Sequence, residues 1–298
     1  MQTISETLLT ALAAGNPQRC LFIFHDDNGD ETDEFTNEDI AQSRGVHTSW
    51  SFNAEKELTL GQCGECSISF AILNDLHQID DFEFGEFTAY LGVRIDEGTP
   101  DQEAVMRTYP GDGLYEFCPI GVFSVDRPDV VNTNLIDVSA TDRMTKFDEE
   151  IKTEHRTALT ASMSLYELAD TLCDCVGVPL GTADTGMLNA DLAVQLTTSL
   201  ITGRTYRDIL KWIAEAAGSI AMFNRTGELE FRWFSVPVSG GEFDDNDFHE
   251  FVNSWYETQQ IDGLRVRNQG ETSEDVEKPE SVEEITNAYV ISGNPFLR

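Results

Sequence analysis

Two stretches decide the reading of this chain. The first is Ser164-Leu165-Tyr166-Glu167-Leu168-Ala169-Asp170-Thr171-Leu172-Cys173-Asp174-Cys175-Val176-Gly177. The second is Thr205-Tyr206-Arg207-Asp208-Ile209-Leu210-Lys211-Trp212-Ile213-Ala214-Glu215-Ala216-Ala217-Gly218. Laid over one another, their hydroxyl starts, the acids Glu167 and Asp208, the apolar Leu168 and Ile209, and the closing glycines coincide. Each opens on a residue that can cap a helix N-terminus and carries an acid where the helix dipole favours one. Each stops at a glycine suited to the left-handed position. The pattern predicts helices over Ser164–Val176 and Thr205–Ala217. The second runs into Ser219–Asn224, Arg225-Thr226-Gly227 and Glu228–Phe234, an amphipathic strand pair around a turn. Ile209, Leu210, Ile213 and Ala217 form an apolar stripe at helical spacing, and Trp212 lies within it, which predicts a core role for that residue. Such an organisation points to assembly rather than chemistry.

A chain of 298 residues can bury one large core or two medium ones. No apolar run approaches the roughly 20 residues needed to span a bilayer. Met1–Ala14 lacks a basic start and carries Glu6, so it reads as a short amphipathic helix using Ile4, Leu8, Leu9 and Leu12, and not as a signal peptide. A chain made and folded in a cytoplasm is the expectation. The formal net charge is −35, from 54 Asp and Glu against 19 Lys and Arg. A field of that sign repels phosphate backbones and weighs against direct grip on nucleic acid. It fits either a solvated, halophile-like surface or a wall that anionic cargo slides past without adhering. The six cysteines, Cys20, Cys63, Cys66, Cys118, Cys173 and Cys175, read as thiols. Cys63-Gly-Glu-Cys66 has zinc-like spacing but no second pair follows it, and Cys173 and Cys175 point to different faces of one helix.

Along the chain, Cys20–His25 alternates as a strand and reaches the hairpin signal Asn28-Gly29. Aligning Asp26, Asn28 and Asp30 with a calcium loop places Glu31 where that loop needs glycine, so a plain charged turn is expected. Phe35–Ile40, Thr48–Phe52 and Leu58–Leu60 follow, then Ser67–Leu73, the clearest strand, in which Ile68, Phe70 and Ile72 alternate with small or polar neighbours. Phe87–Ile95, Tyr115–Val125 and Leu135–Asp142 are further strands, with Asp96–Asp112 a loop or hairpin tip. Strands at short intervals suggest closed antiparallel barrels or a sandwich. Near Lys146 the composition turns helical. Beta character resumes at Ile220 and continues through Phe243–Trp255, Gly263–Asn268 and Ala288–Ser292, while Glu271–Glu284 reads as an exposed acidic loop. The apolar Phe296 and Leu297 suggest docking of the last residues, or a chain that continues in related proteins.

Catalytic motifs do not emerge. His25, His47, His77, His155 and His249 are scattered, and no zinc-protease, Walker, dinucleotide or nucleophile-elbow pattern occurs. Acid pairs such as Glu149/Glu150 or Asp244/Asp245 are expected by number alone. A glycosidase needs no fixed carboxylate spacing, yet Trp212, Trp233 and Trp255 read as core or interface anchors rather than a sugar platform. No catalytic, cofactor-binding or metal-ligating residue is assigned, and the chain reads as a non-enzyme.

Phe35–Ile40, Leu58-Thr59-Leu60-Gly61 with Ser67–Leu73, Pro119–Asp126, Leu135–Phe147, Tyr206–Trp233 and Ser292-Gly293-Asn294-Pro295 occur in an order that resembles phage tail hub proteins. That class includes the baseplate hubs of contractile phages and the tail-associated hubs of siphophages and prophages. The stretches cover about half of the chain. The resemblance implies a mainly-β α+β fold with two related β-barrel domains. Residues 1–147 would form an N-terminal helix and first barrel, 148–235 a helical middle region with a β-hairpin, and 236–298 the completion of a second barrel. It implies a homotrimer whose six barrels form a pseudo-hexameric ring, adapting the hexameric tail tube to a trimeric tip, spike or fibre. Further implied partners are distal tail or baseplate proteins and the tape measure protein, with DNA only in transit. The protein would sit in the virion tail after assembly in the bacterial host cytoplasm. Relatives that degrade cell wall carry a longer C-terminal region, so no such role is expected. An anionic channel lining would keep exiting DNA from sticking, with Asp26–Glu34, Asp80–Glu86 and Asp244–Asp247 as the densest acid clusters at its lumen or rim. A receptor- or carbohydrate-binding β module of the tail tip is the other reading.

Overall fold

The computed structural model describes residues 5–26, 29–41, 43–51, 60–73, 85–95, 105–126, 129–132, 135–232, 263–267, 274–277, 288–292 and 294–297. The sequence-derived strand within Phe243–Trp255, the acid clusters 80–84 and 244–247, and Trp233, Trp255, His77 and His249 lie outside these residues.

The chain opens with α1 (Glu6–Ala13), capped by Ser5, whose hydroxyl accepts from the Leu8 N–H at 2.9 Å. Its buried face is Leu8 and Ala11, packed on Val93 and Ile95. Leu9 and Leu12, expected on that face, are 48% and 38% exposed. Eight residues make only two turns, too few to cover a wider stripe.

Nine strands form one antiparallel sheet. They are β1 (Gln18–His25), β2 (Glu31–Thr36), β3 (His47–Ser51), β4 (Glu65–Leu73), β5 (Glu86–Ile95), β6 (Val105–Tyr109), β7 (Gly113–Val125), β8 (Asp129–Asn132) and β9 (Leu135–Asp142). The path runs β2-β1-β5-β7-β9-β4-β3, with β6 on β7 and β8 on β9. Period-two alternation in β1, β4 and β5 sends Phe22, Phe24, Ile68, Phe70 and Phe87 to one face, where they form a core with Phe123 and Val138. Phe22 on β1 stacks on Phe70 of β4 at 4.3 Å between ring centroids. Three strands separate those two along the path, so the sheet curls until its ends face each other. Each fully buried phenylalanine contributes about 1.5–3 kcal/mol to that closure.

The seam is bridged once. Ile40 pairs with Ile72, and the Ala41 N–H donates to the Ala71 carbonyl at 2.9 Å. Among the described residues the path from β2 to β3 does not return on itself, so a closed barrel is not what the ladders show. Where a pair of barrels is expected, the larger sheets among the described residues are one curled sheet and a three-stranded one. Within β5–β7 the register slips between Ala89 and Tyr90, which face Gly121 and Pro119. Pro119 has no N–H for the ladder, and a bulge is where a strand tolerates that. Val105–Tyr109, read as loop or hairpin tip, is strand because it folds back on β7 from Gly113.

The second layer is helical. It contains α2 (Arg156–Leu159), the short pair β10 (Met163–Ser164) and β11 (Ala193–Val194), α3 (Leu165–Val176), α4 (Thr198–Ile201) and α5 (Tyr206–Ala216). Both long helices begin in a reciprocal capping box, Ser164 with Glu167 and Thr205 with Asp208. Their core includes Leu168, Leu172, Ile209, Leu210 and Ile213. Trp212, expected in that core, is half-buried: it flanks the stripe, edge to face with Phe296 at 6.5 Å and under the Arg204 guanidinium at 5.3 Å. The hairpin β12 (Ile220–Phe223) and β13 (Leu229–Arg232) closes this layer.

A three-stranded sheet follows, with β14 (Gly263–Arg267) between β15 (Glu274–Glu277) and β16 (Ala288–Ser292). β15 falls in the segment read as an acidic loop; pairing with β14 supplies the order that its composition does not. β14 and β16 run parallel. The 294–297 segment docks on α5, the Asn294 amide donating to the Trp212 carbonyl at 2.9 Å and to Glu215 at 2.8 Å.

Two glycines separate strain from crowding. Gly177 ends α3 at φ +74° with open space around it, while Gly227 at φ +76° has Val122 beside it. Gly177→Ala should cost about 1 kcal/mol of left-handed strain alone. Gly227→Ala should cost more, because its new Cβ would sit 2.8 Å from Val122 Cγ2. Urea unfolding of the two variants checks the order.

Candidate functional site

The curled sheet and the helical layer meet along one junction. Its backbone part is a short parallel ladder: Gly61 N–H donates to the Ser219 carbonyl at 2.9 Å, Ala221 N–H to Gln62 at 2.9 Å, and Gly64 N–H to Ala221 at 2.8 Å. The ladder turns Cys63 into the helical core, whereas Cys66, three residues on, faces the sheet core. Zinc-like spacing thus places the two thiols in different cores, and burial pushes both up to about 12, where neither is a thiolate. Cys173 behaves likewise at about 12, and Cys175 lies on another, half-buried face. Among the described residues no group of three or more His, Cys, Asp or Glu is placed to hold a metal ion.

A charged cleft of about 530 Å³ opens at this junction, lined by His25, Asp26, Glu86, Thr88, Arg143 and Lys146 with Val122 and Thr226. Glu86 pairs with Arg143 at 2.6 Å and with Lys146 at 2.7 Å. Burial alone would raise its carboxyl, but the hydrogen bonds from those two cations outweigh that and hold it below the usual carboxylate range. Arg143 also donates to the Gly227 carbonyl at 2.9 Å, fastening the hairpin tip to the sheet. His25 contacts the Thr88 hydroxyl at 3.1 Å. The cations and the carboxylate are spent on each other, an arrangement suited to clamping two layers. Glu86, which the sequence counts with the Asp80–Glu86 acid cluster, is paired with these two cations.

Deeper in the junction, Arg207 of α5 is 6% exposed and reaches both β4 and the 143–148 turn. It donates to Glu65 at 3.1 Å, to Asp148 at 2.9 Å and to the Met144 carbonyl at 3.0 Å. Beside it Asp142 ends β9 with one oxygen accepting from Cys66 N–H at 2.9 Å and the other from Met144 N–H at 3.0 Å. Burial pushes the Asp142 carboxyl up to about 6, against the pull of those two N–H groups. Asp148 is raised too, burial again outweighing Arg207. Nothing in the local sequence marked Arg207, or the hold of Asp142 on Cys66, because those partners lie more than fifty residues away. His155 Nδ1 sits 2.6 Å from the Tyr206 hydroxyl, which also accepts from Lys152 N–H at 3.1 Å.

Of the acids between Asp26 and Glu34 that are described, Asp26 caps its own turn by accepting from Asp30 N–H at 2.9 Å. Glu31, Asp33 and Glu34 are exposed on β2, and Arg107 reaches Glu34 at 3.3 Å. Among the described residues no helix is long and apolar enough to cross a membrane.

The chain matches no protein-family model. It matches no curated protein in sequence. Solved structures similar to it include the 43 kDa tail protein of prophage MuSo2 from Shewanella oneidensis, at 12% identity over 93% of this chain and 72% of that one, with a TM-score of 0.47. The tail protein from Neisseria meningitidis MC58 aligns at 11% identity over 93% and 71%, with a TM-score of 0.47. Prophage tail protein gp18 from Listeria monocytogenes EGD-e aligns at 12% identity over 93% and 71%, with a TM-score of 0.43.

Asp142 gives a pH signature with a definite sign. Its folded carboxyl titrates near 6 against about 4 when unfolded, so the native state holds the proton more tightly. The stability it contributes is full below about pH 4 and is lost as pH rises through 6. Asp142→Asn stays uncharged throughout. Relative to the parent it should therefore be favoured more at pH 7 than at pH 4, by up to about 3 kcal/mol for a shift of this size. Urea unfolding of both proteins at pH 4, 5, 6 and 7 measures the difference.

Proposed function

We propose that this chain is a structural phage tail protein acting as a tail or baseplate hub. In this reading it is a homotrimer whose β domains form a pseudo-hexameric ring. The ring adapts a hexameric tail tube to a trimeric tip or spike and leaves an acidic channel for DNA. The domain division is 1–147, 148–235 and 236–298, with the curled sheet and the 263–292 strands as the two β domains. Its partners are further copies of itself, the tube, distal tail or baseplate proteins, the tip and the tape measure protein. It would reside in the virion after assembly in the host cytoplasm.

One observation carries the reading. Several of the segments whose order resembles tail hubs come together around the helical layer. Gly61 to Gly64 pair with Ser219 and Ala221, and Val122 underlies the hairpin glycine Gly227. Phe147 lies 6.3 Å from Phe223, and Asn294 hydrogen-bonds the α5 carbonyl of Trp212. Residues spread over more than two hundred positions are thus one structural device. The charged groups of that device are paired off in holding the layers, which favours a scaffold over a catalyst.

A ring of three chains, each at −35, assembles against its own repulsion. Raising salt to 1 M contracts the Debye length to about 3 Å and should strengthen the assembly. Light scattering at 0.05 M and 1 M salt should give a mass three times that of one chain, more fully populated at high salt. A single-chain mass at both would refute the ring.

A further inference from the structure

Along its strand path each of the two larger sheets runs from an acidic end to an uncharged one, while the side branches β6 and β8 of the curled sheet carry Arg107 and Asp129. In the curled sheet the acidic end is β2, where Glu31, Asp33 and Glu34 are exposed. The other end is β3, all five residues of which are exposed, with Trp50 at 49%. No Asp, Glu, Lys or Arg occurs from 45 to 54. In the three-stranded sheet the acidic end is β15, with Glu274, Asp275 and Glu277. The other end is β16, inside the uncharged run 285–297, with Val290 at 44% exposure.

An open strand edge invites another strand, and proteins guard such edges with charge, proline or bulges. β2 and β15 carry that guard. β3 and β16 carry no charge and no proline, and no further strand pairs with either among the described residues. Two copies that each bear a charge of −35 repel one another least where charge is absent, and these two edges meet that condition.

We infer that β3 of one copy pairs edge to edge with β16 of the next. This rests on the ring reading above and names its contact surface. The pairing is head to tail: every copy offers one edge of each kind, so the contact repeats and closes into a ring where the rotation allows. Backbone hydrogen bonds between the strands supply the affinity, with Trp50 and Val290 at the joint excluding water.

The test uses the full chain and light scattering in 1 M salt. Ser49 and Val290 are exposed, so Ser49→Glu and Val290→Glu place a charge on each edge without entering a core. Each variant alone should fall from the three-chain mass to the 33.2 kDa of a single chain. Mixed in equal amounts they should recover a two-chain species, because Ser49→Glu retains its β16 edge and Val290→Glu its β3 edge. Thr48→Glu, on the same exposed strand, replaces Ser49→Glu if the latter lowers the urea midpoint. Variants that stay at the three-chain mass would overturn the pairing and leave the ring standing. So would a mixture that remains single-chain, or assembly lost in Ser49→Glu alone, which would mean β3 pairing with β3. A parent protein of single-chain mass would remove the ring, and this contact with it.

Discussion

Backbone hydrogen bonds hold the sheet to the helical layer. The three bonds joining Gly61, Gln62 and Gly64 to Ser219 and Ala221 run residues 61–64 alongside the start of β12. They put Cys63 into the helical core and fix where the hairpin tip meets Val122. Added side-chain atoms have little room there: a Cβ on Gly61 would lie 2.8 Å from Cβ of Glu215. Close backbone approach of that kind is what glycine permits.

Around that ladder the ion pairs act as fasteners. Glu86, Arg143 and Lys146 tie the sheet to the hairpin and to the 143–148 turn, while Arg207 gathers Glu65, Asp148 and a carbonyl. Of these charges only Arg207 is buried, and losing its carboxylates would strand it. The value of the pairs here is positional, because they specify one seating of the two layers. Asp142 sharpens the point, for its carboxylate remains buried beside other acids in order to hold two N–H groups of the junction.

The charge has a second consequence. With 54 acids and 19 bases, cations used at the junction are not available to neutralise the surface. Repulsion between copies is then limited by where charge is missing, and this directs attention to uncharged strand edges more than to any patch of opposite sign. Edge strands normally need protection from self-association, so a strand left bare beside guarded ones is an informative departure.

The two long helices were legible in the sequence because capping is local: Ser164 with Glu167 and Thr205 with Asp208 settle their starts within three residues. The alternation of Ile68, Phe70 and Ile72 likewise announced the central strand, since period two is written in neighbouring residues. Trp212 shows where such reasoning stops. Its spacing placed it in the apolar stripe, but how much of it is covered depends on Phe296, eighty-four positions on. Cys63 and Cys66 share a motif and belong to different cores, and β15 is a strand only because β14 lies beside it. The curl that brings Phe22 onto Phe70, and the carboxylates gathered on Arg207, arise from pairings between distant segments. Local periodicity determined which residues turn inward; the free energy of long-range strand pairing and burial, carried by no single stretch, decided what they meet there.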